Sequence, residues 1–221
     1  MNSSDKDRQS RRRFLSTLLT AGLSLPSEWA KAKMDSVKGV PDEARRKVPV
    51  SPPGSIGAGH LHSLCTACGL CVSACPSKVL VPATKEYGPE GLMQPVMDFS
   101  KGWCSPECTA CGSVCPTGAI EPLTPDRKEN IKIGDAVVVR GLCLCAGDSQ
   151  CDLCEKACPA GAIRMKEDYN APIVMEDGTP GFRRYPSVEQ ILCTGCGACE
   201  HVCPSTPAKA VHVEGLEVHE N

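Results

Sequence analysis

The chain has 221 residues, with 24 Lys and Arg against 26 Asp and Glu, 17 cysteines, and only 4% Phe, Trp and Tyr. Beside 20 Gly and 19 Pro, so few aromatics cannot build the large apolar core expected of one or two domains of this length. The near-neutral balance gives nucleic-acid binding no electrostatic support, and no apolar run is long enough to cross a bilayer as a helix.

Residues 1–32 have the layout of an export signal. A polar, basic start ends in Ser10-Arg11-Arg12-Arg13-Phe14-Leu15, an apolar run extends from Phe14 to Leu25 before Pro26, and Ala30-Lys31-Ala32 supplies small residues for cleavage. A disordered basic tail is the competing reading. The Ser-Arg-Arg-x-Phe-Leu string resembles the twin-arginine signal, which implies export of a folded chain to the periplasm by the twin-arginine translocase. Cleavage after Ala32 would leave a net charge of −5 and no transmembrane span. Residues 33–58, with Val48-Pro49-Val50-Ser51-Pro52-Pro53-Gly54, read as an extended, poorly ordered linker.

From residue 65 the chain repeats one unit. The first copy is Cys65-x2-Cys68-x2-Cys71-x3-Cys75-Pro76, and the second is Cys104-x3-Cys108-x2-Cys111-x3-Cys115-Pro116. The third ends Cys151-x2-Cys154-x3-Cys158-Pro159, with its first member displaced to Cys143 or Cys145. The fourth is Cys193-x2-Cys196-x2-Cys199-x3-Cys203-Pro204. Four quartets leave one cysteine over.

Three cysteines at i, i+3 and i+6 let one tight loop wrap three corners of an iron–sulfur cubane. Gly69, Gly195 and Gly197 let the backbone turn close to it. The fourth cysteine, one helical turn on, points away and in two-cluster ferredoxins ligates the other cluster. Structural zinc would use two separated Cys-x2-Cys pairs, and dense quartets suit disulfide geometry poorly. Cys104-x3-Cys108-x2-Cys111 has the spacing of a radical enzyme's open iron site, but Cys115-Pro116 completes it. The expected cofactors are four [4Fe–4S] clusters, with every iron held by a thiolate, no open site for substrate and no catalytic residue.

Short strands are predicted after quartets two, three and four, at Gly118–Ile120, Gly161–Met165 and Ala210–Val213. Others are predicted before the same quartets, at Met93–Phe99, Asp135–Val139 and Tyr185–Val188. The fold class is α+β: two bacterial two-[4Fe–4S]-ferredoxin-like units of short antiparallel strands and short helices over residues 59–221.

The arginine-bearing leader, Pro52-Pro53-Gly54 and the four quartets resemble the periplasmic polyferredoxins of the NapG and MauM type. The resemblance implies an exported electron carrier relaying electrons between a membrane-bound quinol-oxidising protein and a periplasmic redox enzyme. The long Cys143-x7-Cys151 spacing also fits that family, which favours Cys143 over Cys145 as ligand. The second quartet, Cys104-Ser105-Pro106-Glu107-Cys108, departs from it. The alternative is the iron–sulfur subunit of a molybdopterin oxidoreductase complex. A maturation factor that loads clusters into another enzyme is the third reading.

Similarity to the four-cluster subunits of molybdenum oxidoreductases, and the lack of a strand before quartet one, favour a nested pairing. Residues 59–92 would join 186–221, with 93–185 inserted. Cys75 would then go with Cys193, Cys196 and Cys199, Cys203 with Cys65, Cys68 and Cys71, Cys115 with Cys143, Cys151 and Cys154, and Cys158 with Cys104, Cys108 and Cys111. Sequential pairing of neighbouring quartets stays open. His60, His62, Asp148 and His201 read as surface residues, and Phe99 and Trp103 as shields against water.

Overall fold

The computed structural model describes residues 40–146, 149–174 and 178–220. The expected signal at 1–32 and Asp148 lie outside the described residues. The chain parts into two units at Pro41, and the second, from Asp42 onward, carries every element named here.

The helices are α1 (Ala58–Leu64), α2 (Leu70–Ala74), α3 (Ala110–Ser113), α4 (Pro125–Glu129), α5 (Leu153–Ala157) and α6 (Ala198–Val202). Proline keeps three of them short. The residue before a proline is forced out of the helical region, and α2, α5 and α6 each stop at Cys75, Cys158 and Cys203, all extended with ψ of 113°, 109° and 122°. The strands are β1 (Leu80–Pro82), β2 (Pro95–Met97), β3 (Lys132–Val138), β4 (Ile163–Val174), β5 (Pro180–Val188) and β6 (Val211–Glu220).

Among the described residues these strands form separate two-stranded antiparallel ribbons, β1–β2, β3–β6 and β4–β5. Leu80 faces Met97, Val138 faces Val211, and Ile163 faces Val188. Strands therefore stand where the sequence predicts them, with one exception. Gly118–Ile120 forms no strand: Gly118 turns with φ of 74°, while Ala119 and Ile120 are buried and the next residue, Glu121, donates its N–H to Gly54 O at 2.8 Å. Strand β1, after quartet one, is the strand that the sequence reading did not single out.

Two cores hold the chain, and both are partly sulfur. One joins Cys71 and Cys75 to Leu61, Leu80, Met97, Phe99 and Ile120, with Cys65, Cys104, Cys111 and Cys115 packed against it. The other joins Cys154, Cys193 and Cys199 to Ala136, Ile163 and Val211, with Cys158 against it. Helix α2 packs on α3, and α5 on α6. The halves are therefore consecutive, which corrects the nested division into 59–92 with 186–221 around 93–185. Quartet one needs no preceding strand because β1 follows it and pairs with β2.

The expected linker also needs correction. Residues from Arg46 to Gly57 form a packed strap: Val50, Ser51 and Ser55 have 1% or less of their surface exposed. Its backbone is satisfied by distant segments, as buried polar groups require. Gly215 N donates to Val48 O, Met97 N to Val50 O, Glu121 N to Gly54 O and His219 N to Ile56 O. Arg46 closes the strap with Nη2 on both carboxylate oxygens of Glu200 (2.7 and 2.6 Å) and Nε on Val213 O (2.6 Å).

Candidate metal centres

Quartet loops one, two and four deliver their first three thiols just before or at the start of a helix, whereas in quartet three Cys143 stands upstream, after the turn at Arg140–Leu142. Gly69 and Gly197 adopt the left-handed conformation, with φ of 74° and 80°, as N-caps of α2 and α6. That turn aims the loop's N–H groups at sulfur. Ala67 N donates to Cys65 Sγ at 3.4 Å, Val72 N to Cys71 and Ala198 N to Cys196.

Three of the fourth thiols, Cys75, Cys115 and Cys158, cross over to the neighbouring quartet. Cys115 acts on Cys65 and Cys71, which lie beside Cys68. Cys75 lines one cavity with Cys104, Cys108 and Cys111, and Cys158 lines another with Cys193, Cys196 and Cys199. Cys143 and Cys151 both act on Cys154. The nested grouping is thus replaced at the level of single sulfurs: Cys75 does not join Cys193, and Cys158 does not join Cys104. The reason is local. A five-residue helix carries Cys75 or Cys158 only one turn from its own loop, where the adjacent helix presents the receiving thiols.

Among the described residues no three His, Cys, Asp or Glu side chains converge on a point as one bare metal ion would require. Eight of the thiols instead stand in two sets of four around cavities, the donor arrangement that suits a cubane with one iron per thiolate. Burial pushes the Cys71 thiol up to about 11 and the Cys111 and Cys154 thiols up to about 12, so each keeps its proton at Sγ until a metal displaces it. At Cys75, Cys115 and Cys203 burial acts in the same direction but is outweighed by donors. Leu80 N and Ser77 Oγ serve Cys75, Ile120 N and Thr117 serve Cys115, and Ser205 serves Cys203, which holds these three thiols below their ordinary value.

Those hydroxyls escaped the sequence reading. The signal was available as Cys-Pro-Ser or Cys-Pro-Thr at three of the four quartet ends, with Ala160 breaking it in the third.

The sequence matches the 4Fe-4S dicluster domain over residues 64–119 and again over 149–206, more than half of the chain. The chain belongs to the 4Fe-4S dicluster domain family. No curated protein matches it. The first match spans quartets one and two, and the second spans Cys151, Cys154 and Cys158 of quartet three with all of quartet four, in agreement with the consecutive halves. This is an iron–sulfur electron-transfer protein of ferredoxin type, an electron carrier built from two dicluster domains.

Other residues set aside from the sequence find places near these sites. His201 is half-buried and donates Nδ1 to Phe99 O at 3.0 Å, His62 bonds Gln94 Oε1, and His60 lies 3.4 Å from Gly118 O, so the three have partners that sequence could not name. Phe99 has 1% of its surface exposed, and Trp103 is half-buried. Cys145 is buried and donates Sγ to Cys151 O at 3.0 Å, while burial and the nearby Cys143 raise its pKa.

Proposed function

We propose that this chain is an exported polyferredoxin of the NapG and MauM type that carries four [4Fe–4S] clusters. A first site takes Cys65, Cys68, Cys71 and Cys115, and a second Cys75, Cys104, Cys108 and Cys111. A third takes Cys158, Cys193, Cys196 and Cys199, and a fourth Cys143, Cys151, Cys154 and Cys203. Cys145 is the spare thiol, since its Sγ donates to Cys151 O and it is Cys143, not Cys145, that acts on Cys154 beside Cys151. The observation that carries the reading is the exchange of fourth cysteines between neighbouring quartets, seen in the cavities lined by Cys75 and by Cys158.

When bound, such a cluster accepts and returns one electron without any bond to substrate. The chain's residues set the order of the sites. Helix α2 runs from Cys71 to Cys75 and ties the first site to the second. Helix α6 ties the third to the fourth through Cys199 and Cys203. The second and third meet where Cys104 N donates to Cys196 O at 2.9 Å. The result is a row with the first site at one end, where Cys68 is exposed beside Leu64 and Leu70. A row with separate ends suits a carrier between a membrane-bound quinol-oxidising partner and a periplasmic redox enzyme, after export by the twin-arginine translocase. Among the described residues no helix is long and apolar enough to cross a membrane.

Anaerobic preparation of residues 33–221 should give a brown protein with about sixteen iron and about sixteen sulfide per chain, reduced reversibly in a potentiometric EPR titration. A colourless, metal-poor chain that is still compactly folded would overturn the reading. Stoichiometric co-purification with a large molybdenum subunit would replace the free carrier with the subunit of a complex.

A further inference from the structure

Lys128 is the one Lys, Arg, Asp or Glu that is buried among the described residues, with 6% of its surface exposed. It lies on α4, a helix started by Pro125 and by Thr124 Oγ1, which accepts from Arg127 N at 3.4 Å. That start turns Lys128 inward, to a cleft of about 340 Å³ lined also by Cys104, Ile131, Ile133, Thr194 and Cys196. Its Nζ donates to Ser105 O at 2.5 Å, to Cys108 O and to the Cys104 thiol. Among the described residues these are its partners, and no carboxylate is one of them.

A buried ammonium facing only carbonyls and a thiol is costly unless a negative charge is brought to it. The second site supplies that charge when loaded, since a cubane with four thiolates carries about −2 and gains another negative charge on reduction. Among the described residues the other sites have no buried cation. Lys78 reaches Ser73 O from an exposed position, and Lys209 reaches Cys203 O from a half-buried one.

Resting on the four-cluster reading above, we propose that Lys128 is the counter-charge of the second site. Its ammonium stabilises the reduced state of the cluster held by Cys75, Cys104, Cys108 and Cys111 and raises its reduction potential. Lys128 is a positioning residue in this sense: it ligates nothing, and it acts by its field at a short distance with little water between.

The test compares the loaded wild-type chain with Lys128→Met, Lys128→Gln and Lys128→Arg in potentiometric titrations followed by EPR. Iron and sulfide in the wild type test the four-cluster reading by itself, so its failure is told apart from that of the counter-charge. At wild-type iron content, each neutral variant should lower the reduced-to-oxidised ratio of one cluster at least tenfold at a fixed potential, about 59 mV for a one-electron couple. The other clusters should not move, and Lys128→Arg should stay close to wild type. Iron loss in both neutral variants with full iron in Lys128→Arg also supports the counter-charge. Unchanged potentials in the neutral variants, an equal shift of every cluster, or iron loss in all three variants would overturn it.

Discussion

Where a cysteine stands in its quartet decides what surrounds its sulfur. Third members such as Cys71 and Cys111 are chiefly desolvated, whereas a fourth cysteine before Pro-Ser or Pro-Thr gathers N–H and O–H donors. Histidines follow the same rule of burial against partners. His219 shares a hydrogen bond of 2.9 Å with Ser51 Oγ, and burial pulls its pKa down to about 4. The folded value lies below the unfolded value near 6.5, so between those pH values the unfolded chain binds more protons and stability falls as pH drops. Urea midpoints of the loaded protein should therefore fall from pH 7 to pH 5, and His219→Gln should flatten that slope. An equal slope in the variant would remove His219 from the pH dependence.

At the scale of elements, two glycines in the same conformation are under different constraints. A Cβ on Gly69 would meet no atom within 4 Å, whereas one on Gly197 would lie 2.0 Å from Phe99 Cδ1, a ring with no room to move. Both Ala variants bear the left-handed penalty, but Gly197→Ala also forces Phe99 out of place. It should cost about 1–3 kcal/mol more than Gly69→Ala in anaerobic thermal unfolding. Equal losses would mean that the ring yields freely.

The elements themselves were legible because each has a local signature. Cys-Pro marks the ends of α2, α5 and α6, and β-branched residues such as Ile163 and Val211 mark the strands after quartets three and four. Pairing was not legible, because Cys75 has the same spacing whichever loop receives it. The choice is made by contact between α2 and α3, which no local pattern encodes. Lys128 carried no signal either, since a single lysine on a short polar helix ordinarily faces water.

Across the whole molecule, the strap ties the two halves together beside the bond from Cys104 N to Cys196 O. It was illegible for a clear reason: Val48-Pro49-Val50-Ser51-Pro52-Pro53 has a linker's composition, and its order comes from partners far along the chain. Val50 O receives Met97 N in the first half, and Val48 O receives Gly215 N in the second. Arg46 anchors it, paired with Glu200 at 24% and 12% side-chain exposure and placed 5.3 Å from the centre of the Phe99 ring. Arg46→Met would leave Glu200 without its cation and should cost about 2–3 kcal/mol, read as a lower thermal midpoint with unchanged iron content. A midpoint within error of wild type would show that the backbone bonds alone secure the strap.

Arg46 and Val213 stand 167 positions apart in sequence. A ribosome delivers the first long before the second, so this end of the strap lacks its last partners while nearly the whole polypeptide is made. Truncation before Val211 would take Gly215 N from Val48 O and Val213 O from Arg46 Nε, however well the first two quartets had assembled. The latch that finishes the body lies ahead of the first quartet, and it shuts only after the last ribbon has been synthesised.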